Sequence, residues 1–434
     1  MSSLKISSRH WFVLEPLQVA HPIDAIYQKA AGFEIVGNWY LAGEAYIELH
    51  ESLVGVSNKI VDSILIESKI LARAASCFEL AQDSRTSARF YERAAQKIVS
   101  SWLIPNPQLA AELYNRAALQ YQASSEYFSA GATWNRAAEE FGNVKSNIIT
   151  CTENRTPLPT SAFKSFLCGL CFEAAAIEFE KVAGNEMWSV GSYWRAGKAY
   201  EDGIPNIQAF NAYRRALNAH IRYYGTLDKD QMNNSLPLSQ DERDLRIDPF
   251  DVMEKSLARC NNHHQLNPGV TPQSQLQTNR QMAEAFHGFN LELQSVGNAK
   301  EAANFRIEKS DRQRKILFAQ HKYGISTRYL IWKLTSNYSE SLGRWGITCF
   351  FVIMIFASLY SGFGLITTGV ESIDKSFRFF DYIYFSVITF STLGYGDLHP
   401  MGLFGQILAC LEVICGLIMF GLLLSLVGSR LQRN

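Results

Sequence analysis

Two stretches near the C-terminus constrain this chain more than anything else in it. Trp345 to Ile366 runs through 22 positions without a charged residue. Gly402 to Gly428 holds one, Glu412. Each is long enough to cross a hydrocarbon core of roughly 30 Å as a helix. The second carries 15 Leu, Ile, Val and Phe residues. At roughly −0.5 kcal/mol each they outweigh one acid costing about 3 kcal/mol. Glu412 therefore does not veto the span, and an acid at membrane depth calls for a functional role.

The rest of the 434 residues is far more polar, so two or more units are expected. Lys and Arg number 41 and so do Asp and Glu, which removes any overall electrostatic reason to expect nucleic acid. The N-terminal MSSLKISSRHWFVLEPLQ has no long apolar core, so no cleaved signal is expected. Two spans put both ends on one side. Arg328, Lys333 and Arg344 precede the first span, and Arg430 and Arg433 follow the second. The positive-inside rule places both termini in the cytoplasm. Cys77, Cys151, Cys168, Cys171 and Cys260 are then expected as free thiols.

Residues 1–225 read as helices rich in alanine and aromatics. A small residue, an aromatic about three positions on, and then Arg-Ala or Ala-Ala recur. The pattern starts at Ala88, Ala111, Ala132 and Ala212, with a related version at Ser192. The recurrences lie about 20 residues apart, one helix and a turn, which is the mark of a solenoid. A single helix pair cannot bury such a face, so pairs must stack. The pattern resembles the tetratricopeptide superfamily, and most closely the looser version in NSF attachment proteins. The resemblance implies an α-solenoid whose concave surface takes a peptide, protein or small-molecule ligand.

Residues 226–275 hold Asn233-Asn234-Ser235, several Pro and few apolar runs. They are expected to form a linker loop, partly disordered. Residues 276–322 are charged and helical in pattern and are expected to couple the two ends. They resemble the charged helical stretch that precedes the pore in several bacterial channels with large N-terminal domains. Residues 323–344 contain TRYLIWKL, a composition suited to a short helix on the membrane surface.

Between the spans lies FFDYIYFSVITFSTLGYGDLHP, residues 379–400. Here the chain resembles two-transmembrane-helix potassium channels over about 90 residues. The match covers an outer helix at 345–366, a pore helix at 379–390, a filter at 392–397 and an inner helix at 402–430. The family filter reads Thr-Val-Gly-Tyr-Gly, and Leu393 replaces the Val. The resemblance implies K+ ions held by the carbonyls of Thr392, Leu393, Gly394 and Tyr395 and by the Thr392 hydroxyl. Gly394 and Gly396 can take positive φ cheaply, which lets successive carbonyls aim one way. Tyr395 is expected to face away and brace the ring. One chain supplies a quarter of it, so a homotetramer follows.

Asp381 suits the positive end of the pore helix. On the inner helix, Gly416 and Gly421 match the family's glycines. Gly416 is the expected bending point, with packing against the outer helix as the alternative. Leu417, Phe420, Leu424 and Gly428 are expected to face the pore, with Phe420 and Leu424 as a constriction. Many bacterial relatives carry a pore-helix Glu that interacts with the filter aspartate, here Asp397; this chain has Ile388. Glu412 is expected to sit behind the filter instead, protonated or bonded to Ser386 or Ser391. His399 is expected to ring the outer mouth, and a histidine titrating near pH ~6.5 predicts partial block by external acid.

Cys168-Gly-Leu-Cys171 has redox or metal spacing, and Cys260-Asn-Asn-His263-His264 has zinc-like content. Both are outweighed by buried structural thiols and a missing fourth ligand. No nucleotide-binding glycine motif follows a strand, and no Arg-repeat helix marks a voltage sensor. No cofactor is expected beyond K+ in the filter. Few residues follow the second span, so the gate is expected to be moved through the outer helix, the surface segment and the solenoid.

The expectation is an all-α channel subunit of a plasma membrane, a bacterial inner membrane on the resemblance. It is not expected to be an enzyme, since no nucleophile, acid pair or metal cluster stands out. The alternatives are a signal-opened toxic channel, and a membrane-anchored scaffold whose pore tetramerises the solenoid.

Overall fold

A solenoid forms when each helix offers small residues to one neighbour and an aromatic to the other. The computed structural model describes residues 21–56, 63–101, 106–144, 160–203, 205–238, 248–263, 271–368 and 378–431. They form seventeen helices and one two-stranded sheet, in two compact units, residues 1–278 and 279–434.

In the first unit the helices are α1 (His21–Val36), α2 (Trp39–Val56), α3 (Ser63–Leu80), α4 (Ser84–Val99) and α5 (Pro107–Ala123). They continue with α6 (Tyr127–Asn143), α7 (Thr160–Glu180), α8 (Glu186–Glu201) and α9 (Ile207–Tyr224). Each packs on the next in sequence, as in a solenoid. The buried faces are alanine: Ala94, Ala95, Ala110, Ala111, Ala117 and Ala137 are all sealed from solvent. Glycine goes further where a ring lies on the backbone. A Cβ on Gly169 would sit 2.4 Å from the Tyr200 ring, and one on Gly197 would sit 2.5 Å from the Tyr213 ring.

The arginine of the repeated pattern has a second partner set. Tyr91 on α4 donates its hydroxyl to Glu79 of α3 at 2.8 Å, and Arg116 of α5 reaches that hydroxyl at 3.3 Å. Tyr121 of α5 donates to Glu92 of α4 at 2.7 Å, and Arg136 of α6 pairs with the same carboxylate. Tyr200 of α8 donates to Glu173 of α7 at 2.9 Å, and Arg215 of α9 joins it. An acid, a phenol and a guanidinium thus stitch helices n, n+1 and n+2.

The structure corrects the expected loop at 226–275. Helix α10 (Lys229–Ser235) and helix α11 (Pro249–His263) lie there, and α11 packs on α9. Met253, Leu257 and Cys260 are buried at spacings of four and three, one helical face. Apolar residues are few in this stretch, but they sit where one stripe needs them. His220 anchors the start of the region, its ring nitrogens meeting the Thr226 carbonyl at 2.8 Å and Ser235 Oγ at 2.9 Å.

The second unit holds most of α12 (Pro272–Ser295), then α13 (Ala299–Ala319), α14 (Tyr323–Ser336) and α15 (Leu342–Phe363). It ends with β1 (Ile366–Thr368), α16 (Phe379–Phe390), β2 (Leu398–Pro400) and α17 (Gly402–Leu431). Helix α15 starts three residues before the expected span, because Ser341 Oγ accepts the Arg344 N–H at 3.2 Å and caps it. Gly364, left-handed at φ 61°, closes it, and Leu365 and Ile366 leave the helix. Helices α15 and α17 are long and apolar enough to cross a membrane.

Candidate functional site

Helix α16 opens on a cap in which the Arg378 N–H donates to Asp381 Oδ2 at 2.8 Å. Its buried residues Tyr382, Phe385 and Ile388 pack with Ala357 and Tyr360 of α15 and Leu408 of α17. Ile388 is thus a core residue. Its carbonyl accepts the Leu393 N–H at 2.9 Å and the Gly394 N–H at 3.3 Å. Thr392 N–H donates to the Thr389 carbonyl at 3.0 Å. The segment 392–397 therefore hangs from the last turn of α16.

Its backbone alternates in handedness. Thr392, Gly394 and Gly396 have φ of 56°, 52° and 78°, while Leu393 and Tyr395 between them do not enter the positive region. Glycine adopts this conformation freely; for Thr392 it costs about 1–2 kcal/mol. Sequence reasoning assigned positive φ to the glycines and missed the threonine. Leu393 and Tyr395 are exposed in the single chain.

At the end of this segment, Asp397 faces the Tyr384 hydroxyl of α16, a partner that sequence reasoning did not find. His399 lies exposed in β2, paired with Thr367 of β1, so the exit of the segment is bridged to the residues after α15.

Glu412 of α17 is fully buried behind α16. Ser386 of α16 donates its hydroxyl to the carboxyl group, and Tyr360 of α15 donates to Oε2 at 2.9 Å. Ser386 Oγ also lies 3.0 Å from the Ile353 carbonyl of α15. One node thus holds three helices. Ser391 takes no part, since its hydroxyl turns back to the Val387 carbonyl at 2.6 Å. Tyr360 was missed as a partner, although it is the one phenol in the first apolar stretch.

Gly416 presses against α16. A Cβ there would lie 2.0 Å from the Phe390 carbonyl oxygen, so only glycine fits. The close neighbour is α16, whereas sequence reasoning weighed a bend or contact with the first span. Gly421 and Gly428 have open space around them in the single chain. Leu417, Phe420 and Leu424 form an exposed strip roughly opposite the buried Leu408, Glu412, Met419 and Leu426.

Cys168 and Cys171 are buried in α7, and burial pushes the Cys168 thiol up to about 11, away from reactivity. No cluster of three metal-ligating side chains occurs among the described residues. His264 and Cys151 lie outside them.

A family model described as an ion channel matches residues 345–433, the stretch from α15 through α17. The chain carries an ion-channel domain with two membrane-length helices after an α-solenoid. No curated protein matches the chain.

Proposed function

We propose that this chain is one subunit of a homotetrameric, potassium-selective channel gated through its N-terminal helices. The alternating φ signs at Thr392 to Gly396 carry the proposal. Alternation of handedness turns successive carbonyls to one side, and four such segments around an axis make stacked rings of oxygens. Those rings replace the water that K+ sheds. The residues that hold K+ in this reading are Thr392, Leu393, Gly394, Tyr395 and Gly396. Asp397, Ile388 and the Glu412 node support them, while Ser391 caps the last turn of α16. Phe420 and Leu424 suit a hydrophobic constriction lower on α17, and the cytoplasmic solenoid is the sensor.

The test is ion flux from liposomes holding the purified full chain. K+ and Rb+ should pass and Na+ should be excluded, and Gly394→Asp should abolish the flux. Equal passage of Na+ and K+, or flux that survives Gly394→Asp, sinks the proposal.

A further inference from the structure

Between α14 and α15 the chain does something costly. Asn337, Tyr338 and Ser339 are all left-handed, with φ of 51°, 59° and 67°. Non-glycine residues visit this region singly, at roughly 1–3 kcal/mol each. Three in a row persist only if the surroundings hold them.

The holder is Asp311 on α13. Its Oδ1 accepts the Tyr338 hydroxyl at 2.8 Å, and its Oδ2 accepts the Lys333 ammonium at 2.5 Å. Tyr338 is buried, only 3% exposed, inside the elbow it closes. Arg306 of α13 adds an ion pair to Glu340 at 3.2 Å, on the far side of the bend. The elbow is thus strained and clamped at both shoulders by one helix.

Just past the elbow the chain grips α17. Trp345, at the base of α15, donates its indole N–H to the Met419 backbone carbonyl at 3.0 Å. Thr348, one turn on, lies with its hydroxyl 3.3 Å from the Thr335 carbonyl of α14. A tryptophan that merely anchors a helix at the lipid interface would leave its N–H to headgroups and water. Here the N–H is spent on the helix that carries Phe420 and Leu424. Met419 lies seven residues, two turns and roughly 10 Å below Glu412 on the same helix face. The helix is held at its upper end by Glu412 and at Met419 by Trp345.

We propose that the Asp311-clamped elbow and Trp345 form the joint through which movement of α13 repositions the lower half of α17. Trp345 is a positioning residue, since it acts on the strip at Phe420 and Leu424 through the backbone of Met419. This rests on the channel reading above for its consequence, a change in opening, but the joint itself can be read without conduction.

The experiment uses the full chain with Trp345→Phe, Tyr338→Phe and Asp311→Asn, which remove the indole donor, the phenol donor and the carboxylate charge in turn, and the pairwise doubles. In single-channel recordings each substitution should shift the open-to-closed ratio by about two- to tenfold, as expected for one net hydrogen bond. All three shifts should have the same sign, and the doubles should fall short of the product of the singles. Shifts of opposite sign, fully multiplicative doubles, or unchanged ratios overturn the joint. Amide hydrogen exchange at residues 419–424 supplies the second readout. Asp311→Asn, which lies outside the membrane, should speed it about two- to tenfold. Unchanged exchange overturns the joint even in a conducting protein. Faster exchange in a protein that passes no potassium keeps the joint and overturns the channel reading.

Discussion

Tyr360 donates its hydroxyl to Glu412 Oε2 at 2.9 Å, joining two membrane-length helices 52 positions apart in the chain. Both side chains are sealed from solvent. A buried carboxyl group that loses a donor keeps its desolvation cost, about 1–3 kcal/mol. Tyr360→Phe should therefore lower the melting point of the solubilised protein and shorten open events. Glu412→Ala, which empties the node, should do both more strongly, and Glu412→Gln less. Unchanged melting and open times for all three would remove the node from filter support.

Gly416→Ala should abolish the folded channel domain, because the Phe390 carbonyl occupies the space of the new methyl group. Gly421→Ala meets nothing within 4 Å in the single chain and should be tolerated for folding. Its helix even gains up to about 1 kcal/mol in propensity. Thermal unfolding of the two variants side by side separates packing from bending: equal stability would contradict the packing role of Gly416.

The elbow clamp should resist acid. Burial alone would raise Asp311, but the Lys333 and Tyr338 hydrogen bonds and the Lys333 and Arg314 charges more than offset it and hold the carboxyl below its usual range. A depressed carboxylate contributes stability that is fully present above its unfolded pKa, ~3.9, and is lost as pH falls through the still lower folded value. Buffer pH between 8 and 5 should therefore leave exchange at Tyr338 and Ser339 unchanged, apart from the intrinsic pH effect. Selective loosening of these amides above pH 5 would contradict this.

In the solenoid, Gly197→Ala drives a methyl group into the Tyr213 ring and should cost about 1–3 kcal/mol. Arg215→Ala leaves Glu173, whose side chain is only 10% exposed, with Tyr200 as its remaining partner among those described above. The expected cost is again about 1–3 kcal/mol. Far-UV circular dichroism melts of the full chain measure both. A melt unchanged in Arg215→Ala would mean that Tyr200 suffices to hold the carboxylate.

The parts of this architecture that were legible in the sequence are those written in side-chain type. Two apolar runs, an alanine and aromatic period, and a Gly-Tyr-Gly between the runs need no third dimension. What stayed hidden depends on backbone. The Trp345 acceptor is the Met419 carbonyl, and every residue has a carbonyl. The positive φ of Thr392, and those of Asn337 to Ser339, belong to residues with no strong left-handed preference except Asn. The helices at 229–235 and 249–263 were missed because polar residues outnumber the thin stripe of Met253, Leu257 and Cys260. The arginine of the repeat was visible, but its acid lies two helices back, a distance that no single-helix pattern reports.

The stitching of helices n to n+2 also limits how such an array can change its length. Insert a helix without these side chains, and the arginines of the next two helices lose the acid two helices back, while those farther along keep theirs. Insert one with an acid, a phenol and an arginine of its own, and the ladder closes again. A lineage that lengthened this solenoid would therefore do so by copying helices that already carry all three.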